Sequence, residues 1–288
     1  PPRAKSNASA DGRTAVTPGA PLVLMTDWVN ALPPAALVSR ALDQGYDGIE
    51  AWWPAEPESQ RELSAAVADT GAALSLLAGS DHREPATHID EIDRRLGTIA
   101  ERGIQPLHVT LHAGRDYWRD AEHDLLAERM LESRSRTGLD VLLELHRSRM
   151  LYSAHASQRI LERHPDLRVT FDVSHWLVVA ESMLADQRPA VDLAIERADH
   201  IHARIGHPQG PQVNDPEAEE WTAVVDQHLR WWDDIVGRLR SEGRAVTFLA
   251  EFGPVDYAPS TPGTRLPLRD PESSNLWMMR LLRERYGA

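Results

Sequence analysis

Residues 168–206 read RVTFDVSHWLVVAESMLADQRPAVDLAIERADHIHARIG. A short apolar run at 168–173 gives way to a longer stretch with Ala, Leu and Arg at helical spacing, and a second short apolar run begins at His200. Parallel neighbouring strands need a helical crossover between them, so this pattern predicts one strand–helix–strand unit. Polar side chains, Asp172 and His202, stand where the two predicted strands end.

The same alternation extends outward in both directions and gives eight predicted strands, at 22–26, 48–52, 73–77, 106–111, 140–145, 168–173, 200–205 and 246–252. Strict alternation without a glycine-rich first turn favours a closed parallel barrel over an open nucleotide-binding sheet. We therefore predict a single-domain α/β fold, a (β/α)8 barrel over residues 21–288. Residues 1–20 are small and polar without periodicity, and we expect them to form a flexible N-terminal extension.

Composition excludes several classes of chemistry. The chain has no cysteine, which excludes a thiol nucleophile and a thiolate zinc site, and its only lysine is Lys5, which leaves no residue for a Schiff base. A net charge of −13 makes nucleic acid an unfavourable partner. No apolar run approaches the roughly 20 residues that span a bilayer. We expect a soluble, cytoplasmic protein without a membrane partner, and a homo-oligomer is compatible with the sequence.

Acidic and imidazole side chains end the last four predicted strands, in LLELHR, FDVSHW, HIHARIG and FLAEFG: Glu144, Asp172, His202 and Glu251. Strand carboxyl ends meet at one face of a barrel, so these side chains should converge there. Three carboxylates and one imidazole would repel one another unless a cation neutralised them. The sequence therefore predicts one divalent metal ion, with Mn²⁺, Mg²⁺ or Co²⁺ favoured by the oxygen-rich donor set and Zn²⁺ compatible with it.

Neighbouring residues are candidates for substrate contact or proton transfer. Residues two apart share a face of a strand, which brings His146 and Arg204 to the side of Glu144 and His202. His112 ends strand four and Glu50 ends strand two. Tryptophans just beyond predicted strand ends can stack on a sugar ring, and we predict this contact for Trp52 and Trp176. Histidines in the helical stretches should face solvent: His88, His123, His155, His164 and His228.

Two connections after predicted strands, 206–216 and 253–271, are long and rich in Gly or Pro. Their position puts them on the catalytic face of the predicted barrel, so we predict that both form lids over the site.

These motifs resemble those of the xylose isomerase-like TIM-barrel superfamily, the broad sugar phosphate isomerase/epimerase group, which includes ketose 3-epimerases, inosose dehydratase and endonuclease IV. The resemblance covers residues 21–288 and rests on these residues: Glu50 in DGIE, Glu144, Asp172 and His175 in FDVSHW, His202 in HIH, and Glu251. It implies the same four metal ligands and a substrate contact for His175. The continuation ARIGHPQGPQV after His202 departs from the group's pattern, so the substrate class is not implied.

The predicted function is a metal-dependent isomerase or epimerase that converts a sugar or polyol ketone through an enediolate. Glu144 and Glu251 would carry the proton, while His175 and Arg204 would hold hydroxyls or oxyanions. The alternative is a metal-dependent lyase or dehydratase that expels a β-substituent from a keto-sugar or keto-glycoside, with His146 or His112 as acid or base. A barrel that binds a carbohydrate without catalysis is the second alternative.

Overall fold

The fold is a closed barrel of eight parallel strands, as the sequence predicts. The computed structural model describes residues 19–29 and 31–287, so most of the predicted N-terminal extension, residues 1–18, lies outside the described residues. The strands are β1 (Leu22–Thr26), β2 (Gly48–Trp52), β3 (Ala73–Gly79), β4 (Val109–His112), β5 (Val141–Glu144), β6 (Val169–Phe171), β7 (Ala198–Ala203) and β8 (Thr247–Ala250). Each strand pairs with the next, and β8 returns to pair with β1 from Leu22↔Thr247 to Met25↔Ala250, which closes the barrel.

Helices connect successive strands and form the outer layer. They are α1 (Pro34–Asp43), α2 (Pro57–Thr70), α3 (Pro85–Glu101), α4 (Asp120–Thr137), α5 (Ala154–Arg163), α6 (Val173–Ala180), α7 (Arg188–Arg197), α8 (Thr222–Ser241) and α9 (Pro271–Tyr286). Four of them begin at proline, whose fixed φ suits the first helical position. Within the described residues, every helix is too short or too polar to cross a bilayer.

Where the strand boundaries differ from the predicted ones, they do so by one to three residues, at both the amino and the carboxyl ends. β4 begins at Val109, three residues later than predicted, after a segment that starts with Pro106. Because a proline has no N–H to donate to a strand ladder, the segment that starts with Pro106 does not extend β4 at its amino end. β7 begins at Ala198, two residues earlier than predicted, because Ala198 pairs with Val169 immediately after α7 ends. The pairing has a register shift between Val169 and Thr170, which apolar periodicity alone does not indicate.

Three of the histidines predicted to face solvent are buried instead: His88, His123 and His228. The ring of His88 contacts the carbonyl of His82 at 2.9 Å through Nδ1 and accepts from the backbone N–H of Gly114 at 2.9 Å through Nε2. Both ring nitrogens are therefore satisfied without water, which removes the usual cost of burying a polar ring.

The 206–216 connection is packed against the barrel rather than held away from it. The N–H of Val213 donates to the carbonyl of Ile205 at 2.9 Å. The side chain of Gln212 accepts from the N–H of Gly253 at 2.7 Å and donates to its carbonyl at 3.2 Å. The first predicted lid is thus tied to the start of the second, so the two connections brace each other on the catalytic face.

Candidate functional site

The four predicted ligands converge at the carboxyl end of the barrel. Glu144 ends β5, Asp172 directly follows β6, His202 lies in β7 and Glu251 directly follows β8. Because these strands are consecutive neighbours in the barrel, one donor atom from each residue lies within 4.8 Å of the others. Nδ1 of His202 is 3.0 Å from Oε2 of Glu251 and 3.6 Å from Oε1 of Glu144. The four side chains therefore lie close enough together that they could hold one metal ion.

The donor atoms fit a cation because protein groups leave several of them unpaired. Both carboxylate oxygens of Glu144, Nδ1 of His202 and Oε2 of Glu251 are buried without a regular hydrogen bond, and their close polar neighbours are one another and Nε2 of His112. Burial tends to raise the pKa of Glu144, but positive charge on His112 and His202 holds that pKa well below its usual range. An ionised, buried and unpaired carboxylate is costly, and a divalent ion among the four residues would remove that cost.

Asp172 is held in a fixed orientation by its own helix and by Arg204. Its Oδ1 caps α6, accepting from the N–H of Ser174 at 3.0 Å and from the Ser174 hydroxyl at 2.6 Å. Its Oδ2 accepts from Nη2 of Arg204, which is fully buried like Asp172 itself. Burial raises the pKa of Asp172 to about 7, against the opposing effect of Arg204. The proton on Asp172 is thus easily lost near neutral pH, as a metal ligand requires.

A second polar cluster, the lower cluster, lies beneath His202 inside the barrel. Oε1 of Glu50 is 2.7 Å from Nε2 of His202, and Oε2 lies 3.1 Å from Nε2 of His200 and 3.4 Å from Nε2 of His108. Burial tends to raise the pKa of Glu50, but the charge of His200 and His202 holds it well below its usual range. With Nε2 donating to an ionised Glu50, Nδ1 is the nitrogen of His202 that would present a lone pair to a metal once its proton is displaced, and it faces the other candidate ligands.

A cavity of about 280 Å³ opens above the four ligands. Its lining consists of Thr26, Asp27, Trp28, Trp52, Leu77, His112, Glu144, His146, Arg149, His175, Arg204, Glu251 and Tyr257. We call this the metal cavity. A larger cavity of about 600 Å³ lies between α2 and α3, lined by residues such as Trp53 and Arg102, and it shares no residue with the four ligands.

The comparisons with known proteins agree with this geometry. The family model described as xylose isomerase-like TIM barrel matches residues 38–264. The chain belongs to this family. No curated protein shows a significant sequence match to it.

Solved structures of the same fold carry different activities. A 3-keto-D-glucoside 4-epimerase from E. coli has 15% identity and a TM-score of 0.58, covering 92% of this chain and 99% of that one. A probable 3-DHS dehydratase from Bacillus anthracis has 13% identity and a TM-score of 0.54, covering 91% and 98%. Endonuclease IV from Thermus thermophilus has 14% identity and a TM-score of 0.57, covering 92% and 98%. At these identities the likeness shows the fold alone.

In this xylose isomerase-like barrel, three predicted histidines surround the metal cavity. His112 contacts Oε2 of Glu144 through Nε2, and the ring of His146 stacks between the rings of His112 and His175, with centroid distances of 4.7 and 3.9 Å. Burial lowers the pKa of His146 to about 3, and burial together with His146 and Arg204 holds the pKa of His175 well below its usual range. Both rings are therefore neutral at physiological pH.

Two predicted substrate contacts occupy other positions. Trp176 is fully buried in the barrel wall and donates from Nε1 to the carbonyl of Leu151 at 2.9 Å. Glu50 is fully buried beneath His202 and does not line the metal cavity. Trp52, in contrast, is 38% exposed at the cavity rim, and its indole meets the ring of His112 edge-on. The α6 helix turns Trp176 inward, a direction that its distance from a strand end does not reveal.

Asp27 and Tyr257, which line the metal cavity, were not predicted from the sequence, whereas Trp28 is one of the tryptophans that fall just beyond a predicted strand end. Asp27 directly follows β1, so the strand-end rule applied to the other half of the barrel would have found it. Trp28 packs so closely on Gly253 that a Cβ there would lie 2.4 Å from the indole ring. Tyr257 stacks on the guanidinium of Arg204 at 4.8 Å. It comes from the middle of the 253–271 connection, where no periodic signal marks it.

Proposed function

We propose that the chain is a divalent-metal-dependent isomerase or epimerase that acts on a sugar or polyol ketone through an enediolate. The observation that carries this proposal is the convergence of four potential ligand groups, three of which have a buried atom without a regular hydrogen bond, beneath a cavity of about 280 Å³. That volume is near the lower end of the range for small-molecule pockets, about 300–1,000 Å³, and suits a single sugar unit. The residues that would hold the ion are Glu144, Asp172, His202 and Glu251.

A divalent ion at these four residues would supply positive charge to stabilise an oxyanion beside the reacting carbon. Glu144 and Glu251 both line the metal cavity and are 2% and 8% exposed. One carboxylate can remove the proton next to the carbonyl and the other can return it. Glu251 is the better candidate for the first step, because Glu144 already contacts His112.

Neutral and cationic donors around the metal cavity would orient the substrate. Nη1 of Arg204 is buried without a hydrogen-bond partner, so it is available to a substrate oxygen. Nδ1 of His175 is likewise unpaired, while its Nε2 accepts from Arg204 at 2.9 Å. The ring face of Trp52 at the rim suits the C–H face of a sugar.

The lyase alternative rests on the cluster of His112, Glu144 and His146 beside the four ligands. An elimination needs an acid that faces the leaving group. Burial lowers the pKa of His146 to about 3, so at neutral pH this ring is a neutral imidazole, suited to accept a proton rather than to act as the acid. That leaves His112 as the acid candidate of this cluster, and we place the lyase second to the isomerase or epimerase.

The test is exchange of substrate hydrogen with solvent. The Mn²⁺-loaded protein is incubated in deuterated buffer with a panel of ketoses and keto-glycosides, and deuterium incorporation is followed by NMR. The proposal expects incorporation next to the carbonyl of at least one compound, lost when the metal is chelated. Release of a β-substituent would favour the lyase. Binding of a ketose without exchange or product would favour the non-catalytic carbohydrate-binding barrel.

A further inference from the structure

A second cavity of about 260 Å³ adjoins the metal cavity. Its lining consists of Trp52, Gly79, Ser80, Asp81, Arg95, His112 and Arg149. Three of these residues, Trp52, His112 and Arg149, also line the metal cavity. A ligand held at the four metal ligands can therefore extend past Trp52 and His112 into this second cavity.

Two guanidinium groups, that of Arg149 in the lining of the second cavity and that of Arg115 outside the lining, meet at Ser80 with little opposing charge. Arg149 and Arg115 each donate through the guanidinium to the carbonyl of Ser80 at 3.3 Å, and each side chain is 14% exposed. The nearest carboxylate is Asp81, whose Oδ1 lies 3.7 Å from Arg149 and 3.6 Å from Arg115 while its side chain is 98% exposed. Because the carboxylate of Asp81 is so exposed to solvent, its ion pairs with Arg149 and Arg115 add little stability.

The hydrogen-bonding capacity of the two arginines is only partly used. Nε of both Arg115 and Arg149 is buried without a partner. Burial and the neighbouring charge of Arg115 lower the pKa of Arg149 below its ordinary value. Arg95 also lines this cavity, but its positive charge is balanced because its guanidinium pairs with Glu91 at 2.8 Å. The unbalanced positive charge thus belongs to Arg115 and Arg149.

The turn after β5 holds Arg149 in place through an unfavourable backbone conformation. Ser148 has a φ of 63°, in the left-handed region that residues other than glycine rarely adopt. The N–H of Arg149 donates to the carbonyl of His146 at 3.1 Å, and the N–H of Met150 donates to the carbonyl of Ala113 at 2.9 Å. Strain of this kind persists where the surrounding structure fixes it, and it is common at ligand-binding positions.

We propose that the second cavity binds an anionic group of the substrate, a carboxylate or a phosphate. Arg149 contacts the anion directly, and Arg115 behind it adds positive charge. The inference rests on the proposed function in one respect, namely that the anion belongs to the same molecule that the metal cavity holds. A guanidinium presents a planar fork of donors that matches either anion.

The first test uses inorganic phosphate and chelator-treated protein, so that no metal competes for the anion. Calorimetric titration should give phosphate binding that weakens at least about tenfold in Arg149→Gln, which removes a charge-assisted contact, and by a smaller factor in Arg115→Gln, which removes only a neighbouring positive charge. Arg94→Gln is the matched control, because Arg94 is 66% exposed on α3 and lines neither of the two cavities. Arg149→Lys keeps the charge and should retain part of the affinity, and unfolding midpoints check that each variant folds.

Equal phosphate binding by the wild type, Arg149→Gln and Arg115→Gln would overturn the proposal. So would a loss in the Arg94→Gln control as large as in the two variants. If Arg-dependent phosphate binding is found but the protein takes up no Mn²⁺, the anion site stands and the proposed function fails. If Mn²⁺ binds but phosphate does not, the anion site fails and the metal site stands.

The second test identifies the kind of anion. D-glucose, D-glucuronate and D-glucose 6-phosphate are titrated into the Mn²⁺-loaded protein. At least one charged sugar should bind about tenfold more tightly than D-glucose, and this preference should disappear in Arg149→Gln. Tighter binding of the glucuronate assigns a carboxylate, and tighter binding of the 6-phosphate assigns a phosphate. Equal affinities for all three sugars would contradict an anion subsite.

Discussion

Oε1 of Glu50 lies 2.7 Å from Nε2 of His202, on the opposite side of the imidazole ring from Glu144 and Glu251, which face Nδ1. This contact links the lower cluster to the metal cavity. It fixes which ring nitrogen carries the proton and which presents a lone pair to a cation.

Replacing Glu50 by Gln should weaken Mn²⁺ binding by about 10- to 100-fold, because the amide no longer stabilises the tautomer in which Nδ1 is the ligand. The measurement is a Mn²⁺ titration monitored by electron paramagnetic resonance. Glu272→Gln is the control. Like Glu50, Glu272 is a carboxylate in contact with a basic side chain, here Arg40, but it lies on α9 outside the site. Unchanged Mn²⁺ affinity in a folded Glu50→Gln protein would show that the lower cluster does not support the metal site.

The purified protein should contain close to one divalent ion per chain, and a chelator should lower its unfolding midpoint. At this site three carboxylates and one imidazole lie close to the fully buried Arg204. The negative charges outnumber the positive ones, so removal of the ion leaves unbalanced negative charge. At a metal concentration about 100 times the dissociation constant, the expected shift is roughly 5 °C or more. Metal analysis and differential scanning calorimetry provide the measurements.

Asp172→Asn is the control for the chelator effect, because it removes one ligand while Ser174 can still hydrogen-bond the side chain. Its midpoint should respond little to the chelator. A wild-type protein without metal and without a chelator response would refute the metal site.

Replacing Glu251 by Gln should lower turnover by about 100- to 10,000-fold when the protein is saturated with metal, because the substitution removes a basic carboxylate but keeps an oxygen ligand. Exchange of substrate hydrogen with deuterated solvent should fall in parallel. His146→Asn should cost less, since burial already keeps this ring neutral. The lyase alternative expects the reverse order. Full recovery of Glu251→Gln by added Mn²⁺ would leave Glu251 as a ligand only.

Mn²⁺ affinity should rise with pH across the neutral range. Burial raises the pKa of Asp172 to about 7 in the metal-free protein. Burial alone would lower the pKa of His202, but the charges of Glu251, Glu50 and Glu144 raise it well above its ordinary value. Both groups hold protons below their pKa that a metal must displace, so affinity should increase up to about tenfold per pH unit for each proton released. Titration calorimetry in two buffers of different ionisation enthalpy counts those protons, and a pH-independent affinity would contradict this assignment.

The barrel and its four strand-end ligands could be predicted because both follow from local periodicity. Apolar runs alternate with helical spacing eight times, and strand carboxyl ends must share one face of a closed barrel. Glu144, Asp172, His202 and Glu251 therefore needed only their position at the end of a strand to be brought together. The assignment of these residues as metal ligands stays a prediction.

The other residues of the site could not be predicted in the same way. Whether they reach the site depends on the direction of each side chain, and a position at the end of a strand does not specify that direction. Trp52 ends β2 and Trp176 lies in the helix after β6, yet Trp52 lies at the cavity rim and Trp176 is fully buried because its helix turns it into the core. Tyr257 reaches the site from a connection without periodicity.

The sequence by itself determined the architecture and the face on which chemistry occurs, since these depend on which residues are apolar and where strands end. Only the tertiary structure decided that Glu50 supports His202 from below and that Arg115 and Arg149 share one carbonyl beside the metal cavity. Arg115 and Arg149 come from connections that follow different strands. Their proximity arises because the neighbouring strands β4 and β5 pair side by side and begin both connections at the same face of the barrel. The side-chain directions that bring the two guanidinium groups to one carbonyl are encoded by no local pattern.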